Sequence, residues 1–282
     1  MKTRSGIFIL ALILAISGCS KDDPTATGGS ALISSYLMPD AVGQKWCYTG
    51  YEEIIYNDTL GNLVSIDTIS GTMYIEVISR DSVNDYQTFT TEIACYRESP
   101  WWTEHDTGRV RYAQNDTILA EVAYKVSAIS GPKQKALGLI LFGGKYFKNI
   151  EGLRNALLFG YSSGGKYDTT LTTYAPPRIL LDYPLSTGKE WVHYNTAWLS
   201  HRKVEKYERT NVDGEYYYCW KIKSLLDTDN DGNWDDDIVW HDWYNSSGMA
   251  KRHIEWVSTW TSYYGEVLGT NKYVLHYELA NP

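Results

Sequence analysis

Tyr273-Val274-Leu275-His276-Tyr277-Glu278-Leu279 is the stretch that decides the fold. In an extended chain Tyr273, Leu275, Tyr277 and Leu279 fall on one side and Val274, His276 and Glu278 on the other. That is the period of a strand with one face in a core and one toward water. The same alternation returns upstream, where Ile254 and Trp256 face away from Lys251, His253 and Glu255. Met73, Ile75 and Val77 make another such face, as do Phe89, Ile93 and Cys95 after the turn-like Asp81–Asp85. Tyr216, Tyr218, Trp220 and Ile222 alternate with Tyr217, Cys219 and Lys221, which predicts the first set inward. Helical periodicity is confined to Asn149–Phe159, NIEGLRNALLF. The expected class is therefore all-β, with antiparallel strands that keep one wet face and a single short helix.

A repeat organises these strands. Pro39-x₃-Gly43-x₂-Trp46 recurs 145 residues later as Pro184-x₃-Gly188-x₂-Trp191, each copy opening a strand-rich stretch. The reading is two related antiparallel β units, 36–130 and 176–282, joined by a connector at 131–175 that holds the helix and is otherwise irregular. Together with Trp243-Tyr244-Asn245-Ser246-Ser247-Gly248-Met249-Ala250-Lys251, the repeat resembles uncharacterised lipoproteins of Bacteroidota-like bacteria. The resemblance implies curved antiparallel sheets similar to the half-barrels of periplasmic lipoprotein carriers. It covers 38–48 and 182–256 and brings no catalytic residue with it.

The amino terminus carries an address. Lys2 and Arg4 precede an apolar run, Ile7–Ile16, about half the length a transmembrane helix needs. Ile16-Ser17-Gly18-Cys19 resembles a lipobox, which implies removal of signal residues 1–18 and lipidation of Cys19. Ser20-Lys21-Asp22-Asp23 resembles the tetrad that sends such lipoproteins to the outer face of the outer membrane, and 19–35 reads as a Gly/Ser/Thr-rich tether. The chain has 26 basic and 34 acidic residues, so loss of Lys2 and Arg4 leaves a net charge of about −10. Such an acidic body is a poor nucleic-acid partner and is repelled by anionic lipid, leaving the acyl chains as the membrane attachment. The 24 Tyr and 11 Trp suit sheets and half-buried surfaces.

The strongest chemical motif is Asp227-Thr228-Asp229-Asn230-Asp231-Gly232-Asn233-Trp234-Asp235-Asp236-Asp237. Oxygen donors at positions 1, 3, 5, 7 and 9, with glycine at 6, match the front of a calcium loop. Position 12 departs from it, being Ile238 where an EF-hand has glutamate, and the flanks read as strands. The expectation is a structural Ca²⁺ clamped in a hairpin loop by Asp227, Asp229, Asp231, Asn233, Asp235 and Asp237, the last two completing the oxygen shell. The alternative is an acidic turn.

Other matches are weaker. Gly160-Tyr161-Ser162-Ser163-Gly164 fits a nucleophile elbow in form, but strand-like residues follow where a helix is required. His241 and Asp242 are adjacent in a strand and so face opposite ways. Pro100-Trp101-Trp102 offers tryptophan faces to a sugar. Cys47 and Cys95 are candidate disulfide partners in an exported chain, yet Cys47 sits beside inward Trp46 and so faces out, whereas Cys95 shares the face of Phe89 and Ile93. The functional expectation is a non-catalytic binding or envelope-structural module whose partner is a glycan, a protein or an apolar ligand. A carrier holding an apolar ligand in the concave face of the sheet is the rival, and a serine hydrolase using Ser162 the third. A large interior cavity favours the carrier.

Overall fold

The computed structural model describes residues 37–83, 86–100, 102–126, 138–159, 172–195 and 198–280. Among them, in chain order, lie β1 (Lys45–Asn57), β2 (Leu63–Val83), β3 (Tyr86–Ser99), β4 (Trp102–Gln114), β5 (Ile118–Val126), β6 (Leu139–Phe142), β7 (Lys145–Phe147), α1 (Ile150–Phe159), β8 (Thr172–Asp182), β9 (Glu190–Asn195), β10 (Leu199–Val212), β11 (Glu215–Asp227), β12 (Val239–Asn245), β13 (Gly248–Thr261) and β14 (Val267–Leu279). The fold is all-β and antiparallel, with one short helix, as the period-two pattern predicts. Its strands form one sheet in the order β8-β5-β4-β3-β2-β1-β14-β13-β12-β11-β10-β9, with the small β6–β7 hairpin added against β13.

The two strand-rich stretches meet where β1 pairs with β14, Tyr48 opposite Leu279 and Asn57 opposite Thr270. Tyr273–Leu279 thus lies at the junction of the halves. Its inward residues Tyr273, Leu275 and Tyr277 are buried in the main core. Trp256 stacks on Tyr273 with ring centroids 4.0 Å apart.

The repeat has a shared backbone geometry. Gly43 N donates to Val77 O at 2.8 Å and Val77 N to Gln44 O at 2.9 Å; Gly188 N donates to Val204 O at 2.8 Å and Val204 N to Lys189 O at 2.9 Å. Both glycines are left-handed, φ +87° and +85°, and both valines abut a bulge that bends their own strand. Each turn delivers a tryptophan, Trp46 or Trp191, to the interior. Trp46 Nε1 donates to Ser247 O at 2.6 Å and Tyr48 OH to Met249 O at 2.9 Å, so the first repeat motif closes on the Trp243–Lys251 hairpin.

The sheet curls until its edges β8 and β9 come together, giving a nearly closed, barrel-like wall. Pro176 and Pro177 in β8 lack amide donors, which suits an edge strand. Side chains bridge the seam instead of a backbone ladder: Trp191 Nε1 donates to Ile179 O at 3.0 Å, and His193 Nδ1 lies 2.8 Å from the same oxygen. Helix α1, capped by Asn149 Oδ1 on Gly152 N at 2.8 Å, covers the interior and buries Leu153, Ala156 and Leu157.

The structure departs from the sequence reading in one face. Tyr216 and Tyr218 were expected inward, yet they are exposed, while Cys219 is fully buried. β12 pairs β11 only over Trp220–Lys223, so the far end of the β10–β11 hairpin runs past its neighbour. It bends over the outer face, where Asp213 N donates to Glu278 Oε2 at 2.9 Å and Glu208 Oε1 accepts from Trp243 Nε1 at 3.0 Å. Val212 and Cys219 then pack on Trp243 and Ala250 as a second, small core.

Candidate functional site

The curl of the sheet leaves a cavity of about 230 Å³ in the interior, lined mainly by apolar side chains including Ile75, Ile93, Val110, Leu119, Met249 and Leu275. Two groups of buried charges also line it. At one end, Glu52 on β1 accepts Arg154 Nη1 of α1 at 3.0 Å and Tyr273 OH at 2.5 Å. Arg97 approaches the same carboxylate at 3.9 Å and pairs with Glu104 at 3.1 Å and with Asp106. Burial alone would raise the Glu52 pKa, but Arg154, Arg97 and the Tyr273 hydroxyl outweigh it and hold the carboxyl below its ordinary range.

At the other end, Asp242 is shared by two arginines. Arg202 Nη2 donates to Oδ2 at 2.9 Å, while Arg252 grips the same group through Nε at 2.7 Å and Nη2 at 3.0 Å. Trp240 Nε1 adds a bond at 3.2 Å. Desolvation opposes ionisation here too, and the Arg252 and Arg202 guanidiniums overcome it, so the Asp242 carboxyl stays below its ordinary range. Arg178 lies beside this pair, donating through Nη1 to Leu158 O at 2.7 Å and reaching Glu121 at 3.4 Å. Its guanidinium sits over the rings of Tyr194 and Tyr174 at 4.5 and 5.2 Å. His193 Nε2 is 3.0 Å from Arg178 Nη2. A guanidinium only donates and a carbonyl only accepts, so His193 carries its proton on Nδ1 and is neutral. Burial, then the charges of Arg202 and Arg178, push its pKa far below the usual imidazole value.

The acidic loop is tied back to the wall. Asp227, at the end of β11, is buried, and its two oxygens accept Asp231 N at 3.2 Å and Gly232 N at 3.0 Å. Asp229 Oδ1 accepts Asp231 N at 3.1 Å, and carboxylate oxygens of Asp227, Asp229 and Asp231 converge within 4.8 Å. Asn230 and Gly232 take the left-handed backbone, φ 62° and 88°, that such a tight turn needs. The Asn233 amide donates to one member of this cluster, Asp231 Oδ2, at 3.2 Å. Asp235 also turns away, accepting Thr228 N at 2.8 Å, and burial raises its pKa. Asp237 makes no hydrogen bond with the cluster. Asp227, Asp229 and Asp231 therefore stand together, while Asp235 is turned to the Thr228 amide.

Cys47, Cys95 and Cys219 are free thiols. Cys95 lines the cavity, where burial pushes its thiol up to about 11, and Cys47 sits on the opposite face beside exposed Tyr74. His241 and Asp242 do face opposite ways: His241 Nε2 lies 3.2 Å from Glu205 on the outside. Cys19, the tether, Trp101 and Ser162 lie outside the described residues, as does the side chain of Trp102.

No family model and no curated protein matches the chain. Three solved structures are similar in outline. A protein of Bacteroides fragilis inferred to be exported, with a YmcC-like fold, is 11% identical over 85% of this chain and 97% of its own, at TM-score 0.37. A protein of Parabacteroides distasonis inferred to be a lipoprotein is 12% identical over 86% and 96%, at TM-score 0.38. A β-barrel-like domain of unknown function from Brucella abortus is 8% identical over 84% and 99%, at TM-score 0.29. Likenesses this distant carry no weight in the reading of the site, which rests on the residues themselves.

The sequence reading missed the buried charges in and beside the cavity, though a signal existed. Arg252 shares the phase of inward Ile254 and Trp256, Asp242 that of Trp240, and Glu52 that of Tyr48 and Ile54. A charge at an inward position of a strand is a buried ion pair or a site.

Proposed function

We propose that this protein is a non-catalytic binding module of the bacterial envelope, held at the outer membrane by lipid on Cys19, whose ligand is a small apolar molecule taken into the interior of the curved sheet. The supporting observation is the cavity. At about 230 Å³ it exceeds the roughly 150 Å³ of an apolar void that admits benzene, and approaches the ~300 Å³ of small-ligand pockets. The address rests on Lys2–Cys19 and Ser20–Asp23, and surface exposure on the same tetrad. Calorimetric titration with decanol tests the binding. The wild type should bind one decanol and Val110→Trp, which fills the cavity, should not, while melting curves show both folded. Absence of heat in the wild type, or equal binding by the filled variant, contradicts the reading.

A structural calcium at the acidic loop is a second proposal, favoured by the convergence of Asp227, Asp229 and Asp231. Saturating calcium should stabilise the fold by about 1–3 kcal/mol, more than magnesium at equal concentration. Identical melting in calcium and in chelator contradicts it.

A further inference from the structure

The two charged ends of the cavity are unlike. At the Glu52 end, Arg97 and Arg154 are matched by the carboxylates of Glu52, Glu104 and Asp106, and Arg109 and Lys125 line the cavity as well. At the other, Arg178, Arg202 and Arg252 face only Glu121 and Asp242, and neutral His193 adds nothing, leaving one excess positive charge. Asp106 at the first end and Tyr112 near the second are six residue steps apart along β4, roughly 20 Å at 3.3 Å per residue.

The donors at the positive end are not all used. Arg252 makes both its bonds to Asp242 through Nε and Nη2, so its Nη1 has no acceptor among the described residues. Arg178 Nε and Arg202 Nε also lack a partner, but they have no exposed surface, so Arg252, which lines the cavity, offers the unmatched donor that a ligand can reach. Buried guanidinium donors are costly to leave unmatched, and an oxyanion is the group that a fork of N–H donors satisfies best. Tyr174 and Tyr194 hold the Arg178 guanidinium between them, and Asp242 fixes the other two, so the donors are already oriented. Given the apolar cavity reading above, on which this step rests, we infer that the Arg178–Arg202–Arg252 end is a subsite for the anionic head group, carboxylate or phosphate, of an amphiphile whose tail lies against Val110 and Leu275.

The experiment titrates wild-type protein at pH 7.5 with decanol, decanoate, decyltrimethylammonium and acetate. Decanoate should bind at least about tenfold more tightly than decanol, the cation more weakly than either, and acetate alone undetectably. Arg252→Gln should remove the preference for decanoate over decanol, whereas Arg252→Lys should retain part of it. Should Arg252→Gln melt below the assay temperature, the head-group series on the wild type still decides. Decanol binding without any preference for decanoate overturns the subsite and leaves the cavity reading intact. No binding of either ligand overturns both. Acetate binding as tightly as decanoate overturns the amphiphile in favour of a free small anion.

Discussion

His193 is a residue whose chemistry is set by the two groups it bridges. Ile179 O requires a proton on Nδ1 and Arg178 requires a lone pair on Nε2, and protonation would place a cation against two arginines. The folded pKa is depressed, so this imidazole contributes stability above its unfolded value near 6.5, and that contribution is lost as pH falls below it. The loss is as much as about 1.4 kcal/mol per pH unit. Thermal melts between pH 7 and pH 5 should therefore fall steeply for the wild type and less so for His193→Asn, which keeps a donor and cannot titrate. Equal slopes would show that His193 is not neutral in the fold. Asp242→Asn should be more severe, because it strands Arg202 and Arg252 without their shared carboxylate. About 3–5 kcal/mol by chemical denaturation is expected. The phase of Asp242 and Arg252 was legible in the sequence. Their partnership was not, because Arg202 comes from β10 and Glu121 and Arg178 from the far edge of the sheet.

Elements were more legible than partnerships. The Pro-x₃-Gly-x₂-Trp repeat announced two equivalent turns, and the hydrogen bonds at Gly43–Val77 and Gly188–Val204 match within the repeat. Nothing lies within 4 Å of a Cβ added at either glycine, so Gly43→Ala and Gly188→Ala test backbone strain alone. Each should cost roughly 1–2 kcal/mol, and the two costs should agree, as measured by urea denaturation. A large cost at one and none at the other would mean that the turns are not equivalent. Helix α1 was readable from its periodicity and its Asn149 cap. The inward face of β11 was not, since Tyr216 and Tyr218 alternate correctly but run beyond β12, and no local pattern records where a neighbour ends. At the acidic loop, Asp229→Ala/Asp231→Ala should abolish any calcium-dependent rise in melting temperature. Asp227 is the less clean site to change, because its carboxylate also closes the turn on Asp231 N and Gly232 N.

For the whole molecule, alternation predicts strands and a wet face, yet strand order, the β8–β9 seam and the cavity depend on pairings between distant segments. β8 illustrates the point: it straddles the boundary between the connector and the second stretch but pairs with β5 as the edge of the first. Gly71 shows how closely the wall is drawn in, for a Cβ there would lie 2.2 Å from the Tyr277 hydroxyl. Gly71→Ala should therefore lower the melting temperature by overpacking, with a cost of about 1–3 kcal/mol. The account as a whole stands on an interior that accepts an apolar chain. A crystal structure of the protein soaked with 10-bromodecanol locates that chain directly through the anomalous signal of bromine. The account predicts a single bromine peak inside the sheet, among Ile75, Val110 and Leu275. Bromine found only on the outer surface, or nowhere under conditions that saturate the calorimetric signal, would contradict it.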